Sequence, residues 1–427
     1  MSYDSNRIRE QLRVLEPEIN NFIVRYNASA GPLGGLLPRQ TVFFFPGGMA
    51  SRLVRARTKF NSFLPSNQVF AYDELWLTPL TFLGGKARDL KMKRVAPGDI
   101  RDKGEKIIVA DAVINLFGVT PYSGFTSWCE LLNFDYFVFP WDWRRRVSDV
   151  GDMFITDFLP HFQNLVMAGC NGADPLARFS LIGHSAGGML ANWALRSGDP
   201  IMAGLDKAIT VATPFYGYSG QLHRWFEGER LLNGFSNEFK NDIIKMICTL
   251  PGCYALMFLP QAKYLAIQGA LAADPNYPLL VYPSVDFATN VIADPYDPQT
   301  NGALVRYPSG VDPIELATGE ALVTFLTSSL TPAQAGKFWN IRGDTMLGDT
   351  RHETTWKWVP PTNPTPIKDV SLIAGDGTQP AWTTRHVDLD ALVPSHVITI
   401  RSSLAEHLMM MNEPQTLLAI TGILALP

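Results

Sequence analysis

Residues Phe179–Arg196 read FSLIGHSAGGMLANWALR. The first five residues are apolar enough to form a buried strand. From Ser185 onward, Met189, Leu190, Trp193 and Ala194 recur at helical spacing. At the junction stands Gly183-His184-Ser185-Ala186-Gly187, which fits G-x-S-x-G. Five such common residues mean little alone; their place between an apolar strand and an amphipathic helix gives them weight. A serine there sits on a strained turn with its hydroxyl lifted off the sheet, and the flanking glycines let strand and helix approach. Ser185 is the expected nucleophile.

The same rhythm of apolar run, turn and helix extends outward in both directions. Thr41–Phe45 (TVFFF), Phe134–Phe139 (FDYFVF), Lys207–Ala212 (KAITVA), Lys337–Ile341 (KFWNI), Val370–Ala374 (VSLIA) and His396–Ile400 (HVITI) read as further buried strands, with a last helix over Pro414–Leu426. Near-continuous apolar strands separated by helices predict an α/β fold, a mostly parallel sheet covered on both faces. Two stretches break the rhythm. Residues 49–106 carry little strand signal, and 214–336 form an irregular insertion of about 120 residues, too long for a loop. The expected organisation is a core of 1–213 and 337–427, with 49–106 as a lid-like insertion and 214–336 as a cap at the sheet edge where open α/β sheets bind ligands.

Composition narrows the function. The chain has 427 residues, 46% hydrophobic and 18% charged, so it can bury a large core. Its net charge of −4, with no basic tract beyond Arg144-Arg145-Arg146, excludes nucleic acid as the main partner. The longest apolar stretch, Met246–Ala262, is broken by Pro251, Gly252 and Pro260 and reads as cap core rather than a membrane span. The four cysteines make no disulfide framework or zinc spacing, and the first residues make no secretory h-region; a cytoplasmic location is expected.

A serine hydroxyl needs a base to take its proton and a carboxylate to orient that base; in this architecture the order is Ser, acid, His. Of the seven histidines, His407 follows the last strand and precedes the last helix, where the base belongs; His386 and His396 lie too early. Asp376, in Gly375-Asp376-Gly377, is the expected acid because glycines let the turn bend its carboxylate toward the base. Asp344 competes, at a more usual distance after a strand. The oxyanion needs two N–H donors: Ala186, after the nucleophile, and Gly48, in the Pro46-Gly47-Gly48 turn. Met49, Trp141 and His184 are expected beside the substrate. No cofactor and no metal is called for.

These residues resemble the lecithin–cholesterol acyltransferase family, with its lysosomal phospholipase/transacylase and phospholipid:diacylglycerol acyltransferase relatives. The resemblance runs through Val42–Leu53, Glu74-Leu75-Trp76-Leu77, Phe139-Pro140-Trp141-Asp142-Trp143-Arg144, Ile182–Gly188, Ala212–Gly217, Gly375–Thr378 and Glu406-His407. It implies an α/β-hydrolase fold, an acid on a second strand after an excursion (which favours Asp376 over Asp344), and a lid within 49–106. It also implies transfer of an acyl group from a phospholipid or neutral lipid ester to water or an alcohol, with transient contact at a membrane surface or lipid aggregate. Within Trp141–Arg144, the aromatics are expected to pack under the cap and Arg144 to pair with a carboxylate. The family's lid cysteines are missing, since none precedes Trp128, and Gln379 stands where the family has Val. Two alternatives remain: an esterase or lactonase for a non-lipid ester or polyester, and a silent binding module on the same fold.

Overall fold

Six strands form the central sheet: β1 Thr41–Phe45, β2 Asp135–Val138, β3 Phe179–His184, β4 Leu205–Val211, β5 Phe338–Asp344 and β6 Val397–Arg401. Their order is β6-β5-β4-β3-β1-β2, and every neighbouring pair is parallel. This computed structural model describes residues 3–29, 31–57, 71–76, 89–96, 99–102, 107–114, 121–217, 220–226, 237–273, 282, 284–286, 294–296, 311–345, 351–358 and 367–427.

The continuous apolar runs follow from burial on both faces. In β1, Phe43 and Phe45 join one core and Val42 and Phe44 another. Phe43 meets the rings of Phe137, Phe158, Phe162 and Phe179, mostly edge-on, and Phe44 meets Tyr122 and Phe125. The first face is covered by α1, Tyr3–Ala28, through Leu15, Ile19 and Phe22, and by α3, Ala186–Arg196, through Met189, Leu190 and Ala194. The second is covered by α2, Ser123–Leu131, through Phe125 and Cys129, and by α5, Pro414–Ala425, through Ile420 and Leu424. A fifth helix, α4 at Pro313–Leu326, closes the long insertion.

Three expectations need correction. The run Val370–Ala374 belongs to no strand of the central sheet. It lies in Ile367–Ile373, antiparallel to Arg351–Trp358, which pairs in turn with Ser284–Asp286. A short apolar run carries no mark of which sheet it joins, and here the nearest partner in sequence takes it. The 49–106 stretch is richer in strand than its composition suggests, with Ser51–Arg57, Ala71–Trp76, Met92–Ala96 and Asp99–Asp102. Register shifts at Arg52/Leu53 and Leu53/Val54 spoil the period-two pattern by which such strands are recognised. Finally, α1 had no place in the strand–turn–helix reading.

Parts of the expected lid (58–70, 77–88, 97–98 and 103–106, with Leu77) and of the expected cap lie outside the described residues. All four cysteines are buried thiols. Among the described residues no helix is long and apolar enough to cross a membrane.

Candidate active site

The end of β3 and the start of α3 hold Ser185 at φ 53°, ψ −128°, a strained backbone for a residue with a side chain. The strain is held from several sides. Ser185 N–H donates to the Val211 carbonyl at 2.8 Å, and Gly188 N–H to the Ser185 carbonyl at 2.9 Å. The helix also comes so close to the sheet that a Cβ on Gly187 would stand 2.2 Å from the Phe45 carbonyl oxygen. Ser185 is partly exposed while its neighbours on both sides are buried.

The loop after β6 brings in His407. Its Nε2 lies 2.9 Å from Ser185 Oγ, and its Nδ1 lies 2.6 Å from Asp376 Oδ2. A carboxylate only accepts, so Nδ1 carries the proton and Nε2 is left to receive the serine hydroxyl's. The other carboxylate oxygen of Asp376 accepts from the Thr378 and Gln379 N–H groups at 3.1 and 2.7 Å. Asp376 and His407 are 1% and 4% exposed.

Asp376 reaches this place by returning from the antiparallel excursion onto the end of β5. A Cβ on Gly343 would lie 2.8 Å from the Ala405 carbonyl oxygen and 3.1 Å from Asp376 Cβ, so the close packing here favours a glycine. The competitor Asp344 instead pairs with Arg401 at 3.5 Å. His386 and His396 lie elsewhere: His386 contacts the Leu326 carbonyl and Arg196, and His396 stacks on Trp339 at 3.7 Å and contacts the Phe338 carbonyl.

The turn after β1 faces Ser185. A Cβ on Gly47 would lie 3.2 Å from Ser185 Cβ, and one on Gly48 would lie 3.4 Å from Ala186 Cβ. Gly47 N–H donates to the Tyr122 hydroxyl at 2.8 Å. Among the described residues the Gly48, Met49 and Ala186 N–H groups have no hydrogen-bond partner, and Met49 has φ 67°. Three aromatic side chains brace the turn. Besides Tyr122, the Trp141 indole donates to the Pro46 carbonyl at 2.8 Å and the Trp76 indole to the Met49 carbonyl at 2.9 Å.

The three residues expected beside the substrate all lie close to this turn and Ser185. Met49 stays on the turn, half-buried. Trp141 is buried beneath that turn with its N–H engaged. His184 is buried, with Nδ1 3.1 Å from the Tyr122 hydroxyl and Nε2 2.8 Å from the His407 carbonyl. Burial, reinforced by His407, pushes its pKa well below the ordinary histidine value. Tyr122 and Trp76 were not anticipated as site residues. No local motif marks Tyr122, whose partners lie 75 and 62 residues away.

Asp142 and Arg144 turn inward from the same block as Trp141. Arg144 donates to both Asp142 oxygens at 2.8 and 2.6 Å and pairs with Asp102 at 2.7 Å. Burial works against both charges. Arg144 nonetheless holds the Asp142 carboxyl below its usual range, while Asp102 and Asp142 push the Arg144 pKa up. Arg146 and Arg94 both bind Glu315 of α4, tying the insertion to the core. Among the described residues no group of three or more His, Cys, Asp or Glu side chains is placed to hold a metal ion.

No family model and no curated protein matches the chain. Its fold is similar to a chain in the crystal structure of the Tle4–Tli4 complex, at 12% identity and a TM-score of 0.55, over 91% of this chain and 99% of that one. At that identity the likeness speaks for the fold alone. Together with the parallel six-stranded sheet and its flanking helices, it places the chain in the α/β-hydrolase fold.

Proposed function

We propose that this chain is a serine-dependent acyl-ester hydrolase or acyltransferase acting on a lipid ester, with Ser185 as nucleophile, His407 as base and Asp376 as acid. The observation that carries the reading is the unbroken line from Ser185 Oγ through His407 to Asp376, at 2.9 and 2.6 Å, with the serine on a strained turn. As Ser185 Oγ attacks the ester carbonyl, its proton passes to His407 Nε2 and Asp376 stabilises the imidazolium. The N–H groups of Gly48 and Ala186 receive the oxyanion. When the tetrahedral intermediate collapses, the carbon–oxygen bond breaks and His407 returns the proton to the leaving alcohol, leaving acyl-Ser185. Water or a second alcohol, deprotonated by His407, then releases the acyl group.

The lipid substrate is favoured by the surface around the base. Leu404, Leu408 and Met409, which flank the buried His407 in sequence, are 56%, 57% and 38% exposed and offer apolar surface suited to acyl chains. The motif resemblance to the lecithin–cholesterol acyltransferase family points the same way. In this reading residues 1–213 and 337–427 are the catalytic core, 49–106 the lid, and 214–336, which leaves the sheet directly after β4, the cap.

The test is release or transfer of fatty acid from phospholipid liposomes containing a long-chain alcohol, comparing wild type with Ser185→Ala. Product formed by the wild type and absent from the variant is expected. If no product forms while a fluorophosphonate still labels Ser185, the lipid substrate falls and soluble esters become the class to test.

A further inference from the structure

The site as proposed uses Ser185, His407, Asp376 and two N–H groups, and leaves Tyr122 and His184 unassigned. Both are buried, at 3% and 2% exposure, and their hydrogen bonds allow one arrangement of protons. A carbonyl can only accept, so His184 Nε2–H donates to the His407 carbonyl at 2.8 Å. Nδ1 is then an acceptor, and the Tyr122 O–H donates to it at 3.1 Å. The Tyr122 oxygen accepts in turn from Gly47 N–H at 2.8 Å. At the far end, His407 N–H donates to the Asp376 carbonyl at 2.7 Å. The chain runs in one direction from the turn after β1 to the backbone of the base and on to the backbone of the acid.

We propose that Tyr122 and His184 are positioning residues that hold the oxyanion turn and the base loop in register through this hydrogen-bond chain. The inference rests on the serine-esterase reading above. The geometry explains why a tyrosine and a histidine stand here rather than two apolar residues. The turn supplying Gly48 and the loop supplying His407 approach the nucleophile from strands on opposite sides of β3, and neither is fixed to the other by the sheet. The Tyr122–His184 pair spans that gap inside the protein, where water does not compete for its hydrogen bonds. His184 must stay neutral for the chain to keep its direction, and its burial favours that state. A displacement of donor and base by a fraction of an ångström acts on the transition state more than on substrate binding, so the signature is a loss in kcat.

The test compares wild type, Tyr122→Phe, His184→Gln and the double variant. The readouts are the rate at which a fluorophosphonate labels Ser185, kcat and KM on a p-nitrophenyl ester, and the thermal midpoint. Gln keeps one donor and one acceptor but cannot place them on opposite sides as the imidazole does. Each single variant is expected to lower labelling and kcat by about 10- to 100-fold with KM little changed. The double variant should fall no further than the worse single one, because both break the same chain. If Tyr122→Phe does not fold, His184→Gln carries the same comparison.

A folded Tyr122→Phe with wild-type labelling and kcat overturns the proposal, whatever its thermal midpoint. Losses in the double variant equal to the product of the single losses also overturn it, since the two residues would then act separately. If the wild-type serine itself is not labelled, the esterase reading fails and takes this inference with it. Labelling of the wild type with an unaffected Tyr122→Phe removes only the inference.

Discussion

Two buried polar networks in this chain are built from similar parts and end differently. The Ser185–His407–Asp376 line runs from a partly exposed hydroxyl at its outer end through an imidazole to a buried carboxyl at its inner end. The Asp102–Asp142–Arg144–Arg145 cluster is charged throughout and closed, with an Arg144 side chain that is 0% exposed. One network keeps an end open for a reacting atom; the other leaves nothing to react. Damage to the first should therefore appear as lost turnover in a folded protein, and damage to the second as lost stability.

The largest effect expected is in the open network. Ser185→Ala should lower kcat by about 10⁵- to 10⁶-fold and leave the thermal midpoint within a few degrees of wild type. A melting temperature that collapses along with activity would merge the two networks into one. Asp376→Asn comes next. It keeps the shape but cannot hold His407 in the needed tautomer, so kcat should fall about 10³- to 10⁴-fold, measured on any ester the wild type accepts.

The closed network gives the contrasting outcome. Arg144→Met leaves Asp102 and Asp142 buried with too little positive charge, and should cost about 3–5 kcal/mol of stability by urea unfolding. Activity per folded molecule at low temperature should stay within about tenfold. A stable, inactive Arg144→Met protein would break the comparison from the other side.

The most gradual effect sharpens it through pH. His386, pushed down to about 3 by burial and by Arg196 beside it, and His184, pushed down by burial and by His407, are neutral in the fold. Unfolded histidines take up protons below their ordinary value of 6.5, while these two refuse them. Stability should thus be fully present above about pH 6.5 and decline as the pH falls below it, by up to about 1.4 kcal/mol per pH unit for each histidine. Urea midpoints at pH 7.5, 6.0 and 5.0 measure the decline, and a flat profile would mean that these histidines accept protons in place.

What the sequence made legible follows the same division. The position of Ser185 on a strand-to-helix turn was written locally, in an apolar run, two glycines and an amphipathic helix. The strands β1, β3 and β4 were equally plain because burial on both faces leaves an unbroken apolar run. His407 was found through chain order, and Asp376 through its glycine-flanked turn and the family resemblance. The excursion that carries Asp376 back over Gly343 left no mark in the local pattern, where Val370–Ala374 looks like any core strand, and was implied by the resemblance alone. Tyr122 was invisible: it is one of 13 tyrosines, in no motif, and its importance lies in partners far away in sequence. The charge pairing of Arg144 could be expected, but its second carboxylate, Asp102, came from a stretch with little pattern to read.

The hydrogen bond between Ser185 and His407 joins residues 222 positions apart. Under the proposed function, synthesis therefore makes the serine long before its base, and a part-made chain that stops short of residue 407 cannot hold the pair. Strand β6 and helix α5, which complete the sheet and cover one of its faces, also come from the last 31 residues, so under the proposed function the arrangement that ester cleavage needs forms only when the whole core has folded.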